Sequence, residues 1–437
     1  MKTLSCSQTC VGNVTNGSNE RNGSNEIDVV NESLVCRTTD VSPGKGNPSG
    51  KWTNLSYQEM ENGPCSRVCA EISLSNMEQN LDEIKRLLAP GAKVVCVIKA
   101  DGYGHGAIPM ARRMEEREEI WGYAVACPQE ALSLREAGMK KPILILGYVF
   151  PEDITEMIAL DVRLAVFSLE AAEDISQKAA RLGKTAPIHI KLDTGMSRIG
   201  FPCTPDAADT IREIRALPNL EIEGIFTHFA RSDEMDKTFA RKQAARYDAM
   251  VSALFPDPAG RPLCHIANSA AIIDLPEYHK AMVRAGIILY GLWPSDEIDR
   301  NKIDLRPMMS LKSHIVRVRN LPAGETVSYG GTWEAKKDTR IATIPVGYAD
   351  GYPRALSNKG CVLIHGKRAP IRGRVCMDMF MADISEIPES AVGDEVVLLG
   401  TQGTECITVE ELGALSGRFN YEFACDISKR VPRVYLP

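Results

Sequence analysis

Eight short runs of apolar and β-branched residues recur through the middle of this chain, at 94–99, 121–126, 143–148, 162–167, 188–193, 222–228, 264–268 and 283–290. Segments with helical character, such as 128–137 and 169–182, separate most of them. A continuous apolar run, as opposed to an alternating one, is what a parallel strand buried on both faces requires. Strand followed by helix, eight times over, is the count of a (β/α)8 TIM-type barrel. A doubly wound open sheet is the alternative α/β arrangement, but it normally has fewer strands and a phosphate loop after the first. Ahead of the first run, Leu74, Met77, Leu81, Ile84 and Leu88 fall at helical spacing, with Ser75 and Glu78 as a capping box and Pro90-Gly91 as the stop.

Two composition shifts bound the barrel. Residues 1–66 are rich in Asn, Ser, Gly and Thr and carry no sustained apolar period, so they read as a disordered, low-complexity extension. After about residue 305, short strands follow one another through Gly- and Pro-rich turns (311–318, 340–345, 361–365, 379–384, 395–399), with one helix at 409–416. The expected organisation is therefore 67–305 as barrel and 306–437 as a mostly β C-terminal domain. A net charge of -6 gives no electrostatic reason to expect nucleic acid. No apolar run approaches the roughly 20 residues that span a bilayer. The start, Met1-Lys2-Thr3-Leu4-Ser5-Cys6, lacks the apolar stretch of a secretory signal. The 13 cysteines are scattered and odd in number, with no metal-like spacing, so reduced thiols in a cytoplasmic protein and no metal site are expected.

The first barrel run ends in Val97-Ile98-Lys99-Ala100-Asp101-Gly102-Tyr103-Gly104-His105-Gly106. Burying an ammonium is costly unless it is paired or used, and the C-terminal mouth of a barrel is where catalytic groups gather. A lysine snorkelling to solvent is the other reading of that position. The glycines form neither a Rossmann nor a Walker pattern.

The decapeptide as a whole closely resembles the signature of the alanine racemase family, and the resemblance extends over almost all of 67–437. Further blocks stand in the family's order: Lys191-Leu192-Asp193-Thr194-Gly195-Met196-Ser197-Arg198, Thr227-His228-Phe229, Ala267-Asn268-Ser269-Ala270 and Val283-Arg284-Ala285-Gly286 in the barrel. Val327-Ser328-Tyr329-Gly330, Gly347-Tyr348-Ala349-Asp350-Gly351, Cys376-Met377-Asp378 and Arg430-Val431-Pro432-Arg433 follow in the second half.

The resemblance implies pyridoxal 5'-phosphate held as a Schiff base on Lys99, with Lys99 and Tyr329 as the two bases that racemise L- and D-alanine. Removing an α-proton needs an electron sink, which this cofactor supplies, and racemisation needs a base on each face. The resemblance also implies a homodimer in which Tyr329, Met377 and Tyr348 reach the site of the other subunit. His228 is expected to assist Tyr329 and to bond Arg284, which faces the pyridine nitrogen as a donor that cannot give up its proton. Tyr103, Asn268, Ser269, Gly286 and Ile287 are expected around the phosphate, at the loops after strands seven and eight where barrels commonly bind it. Arg198 should clasp the substrate carboxylate, oriented by a carbamylated Lys191; a plain Lys191–Asp193 pair is the alternative. The expected role is supply of D-alanine for peptidoglycan. Many family members carry a tyrosine where this chain has Lys429, so serine or a broader small-amino-acid range stands as the alternative substrate. A non-catalytic cofactor carrier on a lone barrel would lack the C-terminal domain, and a decarboxylase would prefer an acid where Arg284 stands.

Overall fold

The computed structural model describes residues 67–437; the N-terminal extension expected at 1–66 lies outside the described residues. Strand β1 (Val68–Ser73) leads into helix α1 (Leu74–Leu87). Eight parallel strands follow: β2 (Lys93–Val97), β3 (Ile120–Val125), β4 (Ile143–Ile145), β5 (Val162–Val166), β6 (Ala186–Asp193), β7 (Leu220–Phe226), β8 (Leu263–His265) and β9 (Met282–Ala285). Their order in the sheet is β9-β2-β3-β4-β5-β6-β7-β8. The remaining gap between β8 and β9 is spanned by Ala281 N–H donating to Cys264 O (3.1 Å) and Arg284 N–H to Ala267 O (2.9 Å). The barrel of the sequence reading is thus present, strand for strand.

Local chemistry explains its outer helices. Pro128, Pro151 and Pro205 open three of them, where a missing N–H costs nothing. Thr204 also caps the helix that Pro205 opens and Ser168 caps a fourth, their hydroxyls accepting from Ala207 N and Ala171 N. At α1 the expected capping box is replaced: Ser73 Oγ accepts from Asn76 N (3.2 Å), and Glu78 instead pairs with Arg113 (2.6 Å). The chain passes from β1 straight into the helix, so the last extended residue is Ser73.

The second sheet runs, in spatial order, through Arg317–Leu321, Thr339–Ile344, Phe380–Asp383, Lys367–Arg372, Cys361–Ile364, Glu395–Gln402, Met309–His314, β1 and Arg433–Leu436. Here β1 lies antiparallel to Met309–His314 and parallel to Arg433–Leu436. The segment just after residue 66, placed within the barrel domain by the sequence and given no strand there, therefore forms a strand of the C-terminal sheet. The expected strand at 311–318 is two strands, broken at Ile315-Val316. Burial separates the two architectures. Val94, Val95 and Cys96 in β2 are all fully buried, whereas Met309–His314 alternates buried and half-buried positions, as a sheet with one covered face should. Fully burying each aliphatic side chain contributes roughly 1.5–3 kcal/mol, and the two packed layers share one continuous core.

Candidate active site

The mouth of the barrel holds a cavity of about 830 Å³. Lys99, Tyr103, Lys191, Arg198, His228, Asn268, Ser269, Arg284, Gly286 and Ile287 all line it. Ten residues chosen from separate sequence blocks thus converge on one space.

β2 ends at Val97, and Lys99 opens a short turn in which Ala100, Asp101, Gly102 and Tyr103 all have positive φ (50–63°). One left-handed turn built largely from non-glycine residues is costly, at about 1–2 kcal/mol per residue, and needs outside support. Glu130 supplies it, accepting from Ala100 N (2.6 Å) and Ala126 N (2.7 Å); Asp101 Oδ1 accepts from Ala107 N (2.9 Å). Arg433, from the second sheet, donates to Gly104 O (2.9 Å). Gly104 must be glycine: a Cβ there would overlap the Ala424 carbonyl. Lys99 is half-buried, and burial together with the Arg198 charge lowers its pKa from the ordinary lysine value.

Arg284 on β9 is buried yet has no carboxylate partner among the described residues. Its Nη1 donates to His265 O (2.9 Å) and His265 Nδ1 (3.1 Å); its Nη2 donates to Thr227 O (2.7 Å) and His228 Nδ1 (3.3 Å). Burial lowers its pKa to about 10, which still leaves it charged at neutral pH. Because guanidinium only donates, Nδ1 of His228 must accept, and the ring proton of neutral His228 sits on Nε2. Burial, with the surrounding cations next, holds His228 well below the usual histidine range.

The arginine also heads a chain that sequence reasoning missed. His265 Nε2 lies 2.9 Å from His189 Nδ1, and His189 Nε2 lies 3.0 Å from Glu223 Oε2. Glu223 in turn pairs with Arg163 (3.1 Å), and these partners hold its carboxyl down at about 2 against the opposing effect of burial. Working back from that acceptor, each imidazole must carry its proton toward Glu223. The signal was present: His189 and Glu223 are polar residues inside otherwise apolar runs. Gly224 makes room for the relay, since a Cβ there would overlap the His189 ring.

At the loops after β8 and β9, Ser269 Oγ accepts from Gly286 N (3.0 Å). A Cβ on Gly286 would lie 3.2 Å from Tyr103 Oη and 3.5 Å from Ser269 Oγ, so two hydroxyls and a bare backbone form a cradle. Asn268 lines the cavity, but its Oδ1 is occupied by Ala271 N (3.1 Å) and Ser232 Oγ (2.9 Å).

Lys191 on β6 is 2% exposed and, among the described residues, donates only to Leu192 O (3.0 Å). No Lys191–Asp193 salt bridge forms among the described residues; Asp193 Oδ1 accepts instead from the backbone of Gly195, Met196 and Ser197 (2.9–3.1 Å). Burial first, then Arg284 and Arg198, lowers the Lys191 pKa to about 7. Arg198 is exposed at the cavity edge and has no carboxylate partner among the described residues.

Tyr329, Tyr348 and Met377 are not part of this chain's cavity lining; they stand 70%, 43% and 52% exposed, Tyr329 in the turn of a separate two-stranded hairpin (326–334) and the other two on turns of the second sheet. Lys429 is exposed and also absent from the lining. Aromatic wall is supplied instead by Phe419 and Tyr421, stacked at 4.6 Å, with Tyr421 6.0 Å from the Tyr103 ring.

Two family models match the chain: "Alanine racemase, N-terminal domain" over residues 72–294 and "Alanine racemase, C-terminal domain" over 308–435. An alanine racemase of Methanococcus maripaludis is 47% identical over 369 residues, covering 84% of this chain and 98% of that one. One from Desulfovibrio desulfuricans is 47% identical over 370 residues, with the same coverage. Among solved structures, alanine racemase of Clostridium difficile aligns with a TM-score of 0.81 at 41% identity, covering 86% of this chain and 97% of that one. Alanine racemase of Bacillus anthracis with bound L-Ala-P aligns at 0.79 and 36% identity, covering 86% and 96%. Two matched models spanning both halves, and relatives this similar over nearly their whole length, settle the affiliation: the chain belongs to the alanine racemase family.

Proposed function

We propose that the cavity interconverts L- and D-alanine by two bases on opposite faces of the α-carbon, Lys99 of this chain and Tyr329 of a second copy. The family makes the chain an enzyme, an isomerase acting on alanine. The observation that carries the residue assignment is Lys99 itself. It is half-buried at a barrel mouth, and burial and Arg198 lower its pKa.

The donor set suits pyridoxal 5'-phosphate. Tyr103, Ser269 and the backbone at Gly286 and Ile287 would hold its phosphate, Lys99 would hold it through the amine, and Arg284 would face its ring nitrogen. No acceptor among the described residues takes the Nε–H of Arg284, so that donor is available to the ring. When bound, the cofactor supplies the sink for the electron pair left when the α-proton departs.

The protein's own groups do the rest. Lys99 Nζ takes or returns the proton on one face. Tyr329 Oη does so on the other, and a phenol, being a weak base, needs a hydrogen-bonding partner for that role. His228 Nε2–H can supply that partner by donating to the phenolate. Arg198 receives the substrate carboxylate as a forked pair. A carbamate on Lys191 would give Arg198 the anionic partner it lacks, and the near-neutral amine is the form that reacts with carbon dioxide. Met377 backbone and Tyr348 complete the pocket from the second copy, which accounts for three exposed functional side chains. As domains we take 67–305 and 306–437, with β1 exchanged into the second. Among the described residues no helix is long and apolar enough to cross a membrane.

The test is racemisation of L-alanine, L-serine and a small amino-acid panel by purified protein with added pyridoxal phosphate. D-alanine should dominate. Predominant serine turnover would overturn the substrate, and no turnover with cofactor bound would overturn the two-base reading.

A further inference from the structure

We infer that Ser328 is a positioning residue: its hydroxyl holds the backbone in a conformation otherwise reserved for glycine, and that conformation aims Tyr329. The inference rests on the reading of Tyr329 as a base.

Ser328 has φ 67° and ψ -175°. That combination is populated almost only by glycine, and it persists in other residues only where the surroundings impose it. The surroundings here are specific. Ser328 Oγ donates to Arg374 O (2.7 Å) and lies 3.3 Å from Cys376 Sγ. The facing turn presses back, for Gly373 has φ 75°, and a Cβ on it would lie 2.5 Å from Val327 O and 2.8 Å from Ser328 Cβ. Asn358 ties the same two segments, with Oδ1 accepting from Gly373 N (2.6 Å) and Nδ2 donating to Thr332 Oγ1 (3.2 Å).

A third turn joins the assembly. Tyr348 N donates to Cys376 O (3.1 Å) and Ala349 N to Met377 O (3.0 Å). A side chain at Gly347 would overlap those same two carbonyls. Tyr329, Tyr348 and Met377 therefore ride on one interlocked body of three turns, while their side chains project into solvent. The Tyr329 phenol has no hydrogen-bond partner among the described residues, so within them its direction follows from the backbone beneath it. That backbone is strained at the residue before the tyrosine. Loss of the Ser328 tether would let the peptide relax to negative φ and swing the phenol away from its target.

The experiment compares Ser328→Ala, Ser328→Gly and Tyr329→Phe in the full-length holoenzyme. It reads kcat, KM, the melting temperature and the α-deuterium isotope effect on each alanine enantiomer. Ser328→Ala should lower kcat on the order of 10- to 100-fold, the scale of an ångström-level misplacement, with KM little changed. Its isotope effect should rise for the one enantiomer whose proton Tyr329 removes. Ser328→Gly should lose less activity and melt higher than Ser328→Ala, because glycine adopts the conformation without strain. It carries the comparison alone if the alanine variant does not fold. A purely structural role would reduce the amount of folded enzyme and leave the isotope effects unmoved. Parental kcat and isotope effects in both Ser328 variants, beside a crippled Tyr329→Phe, would overturn the positioning role alone. Parental rates in Tyr329→Phe would refute the base, and this inference with it.

Discussion

In protein kept free of bicarbonate, the pH dependence of stability should carry the signature of Lys191. Folding moves its pKa from 10.5 to about 7, because the amine is buried near Arg284 and Arg198 with, among the described residues, a single carbonyl for company. Below pH 7 both folded and unfolded chains hold the proton, and the folded state carries the whole burial penalty, roughly 5 kcal/mol for a shift of that size. Above pH 7 the folded state sheds the proton first. The unfolded chain then binds more protons, so stability rises with pH until about 10.5. Between pH 7.5 and 9 the gain should be about 2 kcal/mol. Urea midpoints of the parent and of Lys191→Met, measured at several pH values in carbon-dioxide-free buffer, isolate this group, since most other titrations cancel in the difference. The variant, with no buried amine, should begin more stable, and the parent should close the gap as pH rises. Bicarbonate should then flatten the parent's curve by converting the amine to a carbamate that pairs with Arg198. A parent–variant difference that stays constant from pH 7 to 9.5, with and without bicarbonate, would refute both the depressed pKa and the proposed modification.

Two further outcomes follow from the cavity. Gly286→Ala places a Cβ 3.2 Å from Tyr103 Oη and 3.5 Å from Ser269 Oγ. It should weaken pyridoxal phosphate binding on the order of tenfold, about 1.4 kcal/mol; an unchanged Kd by fluorescence titration would remove the cradle from the account. Arg284→Glu replaces a group that cannot release a proton with one that can, so pyruvate formed per racemisation event should increase. A constant ratio of pyruvate to racemised alanine would contradict the assignment of Arg284 to the ring nitrogen.

The barrel was legible because both-face burial writes itself into sequence as continuous apolar runs, and all eight were found. Their ends were less so. The run at 283–290 reads as one strand, yet β9 stops at Ala285 and Ile287–Tyr290 is a buried 3-10 turn, since burial alone does not distinguish the two. β1 was missed for a different reason. Its partners are about 240 and 360 residues away in sequence, and no local pattern encodes that pairing. Of the candidate residues taken from the family blocks, the cavity gathers ten, and Tyr329, Tyr348 and Met377 lie outside its lining. The relay through His265, His189 and Glu223 was not legible, because a polar residue in an apolar strand reveals its partner only once neighbouring strands set the register. Lys429, where many family members carry a tyrosine, is exposed and outside the cavity lining, while Phe419 and Tyr421 line it with a stacked aromatic pair.

Subunit complementation tests the two-chain, two-base site most directly. Lys99→Ala and Tyr329→Phe should each be inactive alone, one lacking the barrel lysine and the other the tyrosine it lends. Unfolded together and reassembled with cofactor, half the dimers should be mixed, and each mixed dimer should hold one complete site and one doubly defective one. Activity should therefore return to about a quarter of the parental value per protein, as follows from twofold symmetry. Activity no higher than that of the two variants measured separately would contradict a site built from Lys99 of one copy and Tyr329 of another.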